Sequence, residues 1–138
     1  MIEEVIKDNT NNVIIAKIYR NSVWPDNLNF YTKDEDFVQV STWNYNQGKH
    51  LKAHKHKVAE RMSNRTQEVV FVKSGKMSAS FFTDTNEFID KIIVSAGDFL
   101  IIFSGGHSYD ILEDKTQILE IKNGPYLGLE KDKELIED

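Results

Sequence analysis

The sequence predicts an all-β protein with antiparallel strands, and three observations support this fold class. Short runs rich in Val, Ile, Phe, Thr and Tyr recur along the chain, and these residue types are enriched in strands. Turn-forming clusters such as NTNN, SGK and SAGD separate the runs. No apolar pattern with the helical period of about 3.6 residues persists over about a dozen residues. Many short strands with regular turn spacing favour a sandwich or a small barrel.

The predicted strands follow one another along the chain with short turns between them. They cover residues 13–19, 37–45, 50–57, 68–75, 76–84, 88–94, 98–104 and 116–122. The runs 68–75 and 76–84 are expected to form a hairpin around Ser74 and Gly75. Residues 98–104 are apolar at most positions, so we expect that strand to be covered on both faces.

A chain of 138 residues is expected to form one domain. We expect residues 1–24 to form a strand segment on the barrel edge or at a dimer interface. Residues 25–127 would form the barrel, and residues 128–138 an acidic C-terminal tail, helical or disordered. A small antiparallel barrel exposes strand edges that need cover, and the opening segment through VIIAKIYR is apolar enough to add a strand to a neighbouring copy. We therefore expect a homodimer.

Composition and charge exclude several classes of protein and site. The formal net charge of −5 argues against a dedicated nucleic-acid-binding protein, because phosphate binding needs clustered positive charge. The chain has no cysteine, which excludes disulfides, thiolate nucleophiles and Cys-based metal sites. Its start, MIEEVIKDNT, is acidic and unlike a signal peptide, and no run approaches about 18 apolar residues. We expect a cytoplasmic protein with neither a nucleic-acid nor a membrane partner.

The run HLKAHKHK places His54 and His56 two positions apart. On a strand, alternate side chains share a face, so the two imidazoles would point the same way from Cα atoms about 6.6 Å apart. At that spacing both could reach one metal ion at bonds of about 2.0–2.1 Å, with the lysines on the opposite face. The alternative is an exposed, solvated strand with no ligand.

Two residues farther along the chain could complete such a site. Glu68 has the strand parity of Val70, so it would point inward if Val70 does, and a buried carboxylate needs a partner or a metal. The alternative is a rim carboxylate paired with Arg65 or Lys57. His107 follows a strongly apolar run and a glycine pair, where the backbone can turn sharply toward a ligand. Alone, it would be a hydrogen-bonded loop histidine.

Together these residues resemble the cupin superfamily over roughly residues 37–122. The first cupin motif runs Gly, five residues, His-x-His, a spacer, Glu, six residues, Gly, and here Gly48 stands five residues before His54 while Glu68 stands six before Gly75. The second motif is matched by Gly97 and Gly105, and His107 stands one residue before its histidine position. Stretches such as NRTQEVVFVKSGK and KNGPYLG look like small cupins linked to bacterial surface-sugar biosynthesis.

The resemblance implies an antiparallel jelly-roll barrel with a divalent metal held by His54, His56, Glu68 and His107. With no thiolate present, Fe(II), Mn(II), Ni(II) or Zn(II) would suit these ligands. Glu60 matches the usual family distance from His56, and Glu68 the distance to the following glycine. We expect Glu68 to be the ligand, because a strand holds a side chain more rigidly than a loop. Small cupins commonly pair through an added strand, which also favours a homodimer.

The segment between His56 and Glu68 carries candidates for substrate binding. Arg61 and Arg65 offer planar donor groups suited to a carboxylate or phosphate, unless surface carboxylates pair with them. Tyr109 could add an aromatic wall. The favoured function is a metal-dependent cupin enzyme acting on a small polar or anionic metabolite such as a sugar derivative. The alternatives are a non-catalytic small-ligand-binding or sensing cupin, and a metal-free structural jelly roll.

Overall fold

The computed structural model describes residues 1–20 and 23–138, and within them the chain is almost entirely strands and connecting loops. The strands are β1 (Glu3–Lys7), β2 (Ile14–Tyr19), β3 (Asn27–Phe30), β4 (Ser41–Asn44), β5 (Glu68–Ser74), β6 (Lys76–Phe82), β7 (Phe88–Ser95), β8 (Phe99–Ile102), β9 (Gly106–Ile111) and β10 (Gln117–Lys122). The helix α1 (Leu129–Asp132) is four residues long. The predicted all-β class is confirmed.

The strands form three antiparallel sheets. The largest has the order β1-β2-β8-β5-β10, the second contains β7-β6-β9, and β3 pairs with β4 in the third. Every strand pairing is antiparallel, as predicted. Among residues 1–20 and 23–138 no sheet closes on itself, so a closed jelly-roll barrel stays a prediction.

The main core lies between the five-stranded and the three-stranded sheet. Both sheets send alternate side chains into it, as a two-layer architecture requires. On β5 the alternation places Val70 and Val72 in this core, while Val69 and Phe71 point to the opposite face. The buried members are Ile6, Ile15, Ala16, Ile18, Val70, Val72, Met77, Ala79, Phe81, Val94, Leu100 and Ile102.

The opposite face of the five-stranded sheet is covered by aromatic and aliphatic side chains. Tyr19 stacks on Phe99 with ring centroids 4.9 Å apart, and Tyr31, which directly follows β3, packs against both rings. All four residues of β8 are buried. The strand predicted over residues 98–104 is therefore covered on both faces, as expected.

The hairpin expected around Ser74 and Gly75 joins β5 to β6. Gly75 has a φ of +84°, in the left-handed region that favours glycine. A Cβ at this position would meet Thr116 Oγ1 at 2.2 Å. The glycine thus fixes both the turn and its close contact with the chain before β10.

One predicted strand is wrong, and three observed strands were not predicted. Residues 50–57 form no strand and are all exposed, because the alternating Lys and His side chains provide no apolar face for a sheet to cover. The missed strands are β1, β3 and β9. The first two are short, with three charged residues among the five of β1 and two asparagines among the four of β3. Strand β9 begins within the glycine pair that was read as a turn.

The opening segment forms the β1–β2 hairpin, and β1 is one edge of the five-stranded sheet. Residues 21 and 22, which fall within the predicted 1–24 segment, lie outside the described residues. The run 14–19 pairs with β1 on one side and β8 on the other, so it has no free edge to offer a second copy. The homodimer expectation therefore needs another surface.

The polypeptide contains no helix, within the described ranges, that has the length and hydropathy needed to cross a lipid bilayer.

Two methionines give a matched test of where the core lies. Met77 is 1% exposed between the sheets, whereas Met62 is 95% exposed on the segment before β5. Replacement of Met77 by Ala is predicted to lower the free energy of unfolding by about 2–5 kcal/mol, because it removes buried groups and leaves a cavity. The Met62→Ala control should stay within about 0.5 kcal/mol of wild type. Urea unfolding checks both values, and equal losses would contradict this placement of the core.

Candidate functional site

Glu68 is an acidic residue on the interior face of the five-stranded sheet. It is the first residue of β5 and shares the face of Val70 and Val72, which lie in the core. The residue is 5% exposed. Since an isolated carboxylate buried in this way is costly, its partners decide whether the position is stable. The inward direction predicted from strand parity is confirmed.

The closest partners of Glu68 come from the opposite sheet. His107 and Tyr109 lie two positions apart on β9, opposite Phe81 and Ala79 of β6, both of which are in the core. His107 Nε2 lies 3.0 Å from Glu68 Oε1, and the Tyr109 hydroxyl donates to the same oxygen at 3.3 Å. One carboxylate thus connects the two sheets at the end of the core.

A lysine on the neighbouring strand adds positive charge to the cluster. Lys122 is paired in register with Glu68 across β10 and β5. Its Nζ lies 3.8 Å from Glu68 Oε2 and 3.0 Å from Glu120 Oε1. The distance from Lys122 to the more exposed Glu120 is the shorter of the two. Lys122 therefore forms a bridge between the buried carboxylate of Glu68 and the strand edge.

These partners decide the charge state of the cluster. Burial acts to raise the pKa of Glu68, but the hydrogen bond and charge of His107, the charge of Lys122 and the Tyr109 hydroxyl act against it. The pKa of Glu68 lies below its ordinary value of 4.5 as a result. Burial, and then the charge of Glu68, raise the pKa of Tyr109. At neutral pH the site therefore holds a carboxylate and a protonated phenol.

The two ring nitrogens of His107 differ in their surroundings. Since the carboxylate can only accept, Nε2 carries the proton of the His107–Glu68 hydrogen bond. Nδ1 is buried and has no hydrogen-bond partner among the described residues. In the neutral imidazole that nitrogen carries a lone pair, and in the protonated imidazole it carries a second proton; in either form it is a buried polar atom without a partner in the described part of the chain.

His54 and His56 lie outside the sheets. They belong to the segment 46–65, which connects β4 to β5 and is exposed throughout. Their ring centroids are 5.4 Å apart, and His54 Nδ1 lies 3.1 Å from the carbonyl oxygen of Lys52. The two imidazoles are neighbours, as predicted, but they are held by a loop and not by strand alternation.

The structure divides the four predicted metal ligands into two pairs. Glu68 contacts His107 inside the fold, and His54 lies beside His56 on the exposed segment. No group of three or more His, Cys, Asp or Glu side chains arranged to hold a metal ion occurs in residues 1–20 and 23–138. Glu60, the alternative carboxylate, is exposed on the same segment as the two histidines.

The predicted substrate-binding residues are also divided. Tyr109 lies in the interior cluster, whereas Arg61 and Arg65 are exposed. The Arg61 guanidinium approaches the carbonyl oxygen of Ala59 at 3.4 Å. Neither arginine forms an ion pair with a carboxylate of the described chain, so both guanidinium groups remain available for an anionic ligand.

Sequence reasoning missed Lys122 and the structural role of Asn123. The Asn123 side chain accepts from the backbone N–H of Gln67 at 2.7 Å and donates to the backbone carbonyl of Arg65 at 3.2 Å. These two hydrogen bonds connect the end of β10 to the start of β5. The alternating run from His107 to Ile111 was a usable strand signal, because it would have placed His107 and Tyr109 on one face. No comparable signal identifies Lys122, since its place beside Glu68 depends on sheet register.

No protein-family model, curated protein or solved structure matches this chain. Its function is therefore argued from the residues of the site.

The lowered pKa of Glu68 predicts a specific dependence of stability on pH. Above pH 4.5 the ionised carboxylate favours the folded state, and this contribution is lost as the pH falls through the lowered pKa. In metal-free protein with EDTA, the unfolding free energy of wild type relative to Glu68→Gln should decrease steadily on acidification below pH 4.5. Urea unfolding at a series of pH values measures this difference.

The exposed Glu60→Gln variant is the control, and we expect it to follow wild type across the same series. A difference between wild type and Glu68→Gln that is constant over the acid range would show that Glu68 has no stabilising partners in the folded state.

Proposed function

We propose that the chain is a small cupin with a jelly-roll architecture, which binds a divalent metal and a small polar or anionic metabolite at the end of the inter-sheet core. The observation that supports this most strongly is the contact between Glu68 and His107. These residues lie on different sheets and far apart in sequence, yet their side chains meet at 3.0 Å. Glu68 stands at the cupin-motif distance from the following glycine, and His107 stands one residue before the histidine position of the second motif.

The donor set fits a divalent metal in its chemistry. Three imidazoles and one carboxylate are ligands that Zn(II), Fe(II), Mn(II) and Ni(II) accept. His107 Nε2 faces the Glu68 carboxylate at 3.0 Å, so an ion bound by both would replace their hydrogen bond. The loop that carries His54 and His56 runs into the strand that begins with Glu68. In this proposal His54, His56, Glu68 and His107 hold the metal, which would polarise a carbonyl group or activate water.

The remaining residues bind and orient the metabolite. The Tyr109 hydroxyl, which donates to Glu68, is a half-buried polar group, and Lys122 provides positive charge beside the carboxylate. Arg61 and Arg65 lie on the loop between the histidine pair and Glu68, where their donor groups suit a carboxylate or phosphate. These groups support a substrate class of small anionic metabolites such as sugar derivatives, with turnover as the favoured outcome and binding without turnover as the alternative.

A metal-free ligand-binding site is the second candidate function. Lys122 lies 3.8 Å from Glu68, and a cation at this position competes with a metal for the carboxylate. His107 and Tyr109 then act as hydrogen-bonding groups toward a polar ligand. The two candidates share the same interior cluster and differ in the need for His54 and His56.

Metal analysis separates the two candidates. Protein purified without an affinity tag and reconstituted with Fe(II), Mn(II), Ni(II) or Zn(II) should bind close to one equivalent, measured by plasma mass spectrometry after desalting. His54→Ala, His56→Ala and Glu68→Gln should each reduce occupancy by at least about tenfold, because each removes one ligand. The two exposed histidines contribute no core burial, so their variants should keep the circular dichroism spectrum of wild type.

His50→Ala and Glu60→Gln are the matched controls, since both residues lie on or beside the same exposed segment. Both should retain full occupancy. Wild-type protein that stays metal-free under all four conditions would favour the second candidate. Loss of metal in Glu60→Gln with retention in Glu68→Gln would overturn the proposed ligand set.

A further inference from the structure

The strand β10 forms an open edge of the five-stranded sheet. It pairs with β5 on one side, and no described strand pairs with its other side. Leu119 and Ile121 point away from the inter-sheet core and are 54% and 51% exposed. An edge strand with exposed aliphatic side chains is a template for a further strand.

The opposite edge of the same sheet is less suited to this role. In β1, Glu3 and Glu4 carry charges along the edge, and the pairing with β2 is irregular between Ile6 and Lys7. Glu3 accepts from the Tyr19 hydroxyl at 2.6 Å, and Glu4 pairs with Arg20 at 2.9 Å. Charges and an irregular register are devices by which natural edges avoid added strands. The edge formed by β10 also has one register shift, between Gln117 and Ile118, but its charges, Glu120 and Lys122, are of opposite sign, whereas Glu3 and Glu4 are both negative.

The residue pattern of β10 is complementary to itself in one antiparallel register. Two copies of β10 can pair about a two-fold axis perpendicular to the sheet. Opposed side chains of an antiparallel pair lie on the same face, so one residue of β10 must lie opposite the same residue of the other copy, at the axis. An axis at Glu120 would oppose two carboxylates. An axis at Leu119 would oppose Glu120 and Ile118. An axis at Ile121 opposes Ile121 to itself and brings Glu120 opposite Lys122 twice, which provides two opposite-charge pairs.

We propose that the occupant of this edge is a second copy of the chain, paired through β10 with Ile121 opposite Ile121. The five-stranded sheet then continues across the two-fold axis into its counterpart. Glu120 of the second copy lies beside Lys122, whose Nζ is 3.8 Å from Glu68, so each copy adds a carboxylate at the rim of the other's interior cluster. The proposal depends on sheet register and charge and is independent of metal binding.

Single cysteines test this register directly, because the chain has none of its own. Opposed Cα atoms in an antiparallel pair are about 4.5–5.5 Å apart, within the range of about 4.4–6.8 Å that a disulfide spans. Ile121→Cys places two cysteines at this separation. In the same register Leu119 lies opposite Asn123, and the two Leu119 positions are about 13 Å apart along the strands, too far for a disulfide. Leu119→Cys is therefore a control with the same side-chain direction and similar exposure.

We expect wild-type protein to sediment as a dimer at tens of micromolar. On mild oxidation, most chains of Ile121→Cys should form a disulfide-linked dimer on a non-reducing gel. Leu119→Cys should remain unlinked on the same gel. Circular dichroism verifies that both variants are folded. A wild-type monomer at this concentration overturns the proposal. That result is expected if the natural occupant of the edge is a peptide from another protein. Linking of Leu119→Cys as efficient as that of Ile121→Cys overturns the register.

Discussion

The candidate site depends on one buried carboxylate, that of Glu68, and on the contacts that stabilise its charge. Its sheet register puts it inside the fold, where a charge without partners would be strongly destabilising. His107 and Tyr109 from the opposite sheet and Lys122 from the next strand compensate that cost with hydrogen bonds and positive charge. Because these partners come from β9 and β10, the cluster forms only when both sheets are assembled. His107 Nδ1 stays buried without a hydrogen-bond partner among the described residues.

The fold separates the candidate residues into a group on the strands and a group on the exposed segment. Glu68, His107 and Tyr109 belong to strands that pack on the core, whereas His54, His56, Arg61 and Arg65 lie on the segment 46–65, which is exposed throughout. Strands hold ligands more precisely than loops do. Asn123 fixes the end of this segment beside the start of β5. A ligand that recruited the two histidines would therefore order the exposed segment against a preformed cluster.

Periodicity predicted the fold class and most strands, since apolar alternation and turn residues are local signals. It also placed Glu68 on the inner face, because parity within β5 is independent of what lies opposite. The same rule failed for residues 50–57, where alternating His and Lys satisfy the pattern of a strand without providing an apolar face. Lys122 and the contact between Glu68 and His107 depend on the register and packing of distant strands, which local sequence does not encode.

The most direct test of the inter-sheet contact is a double-mutant cycle between Glu68 and His107. The unfolding free energies of wild type, Glu68→Ala, His107→Ala and the double variant would be measured in urea at pH 7 with EDTA, so that metal does not contribute. A coupling energy of about 1–3 kcal/mol is predicted for a buried, charge-assisted pair at 3.0 Å. Additive losses, with a coupling energy below about 0.3 kcal/mol, would show that the two side chains do not interact in the folded protein.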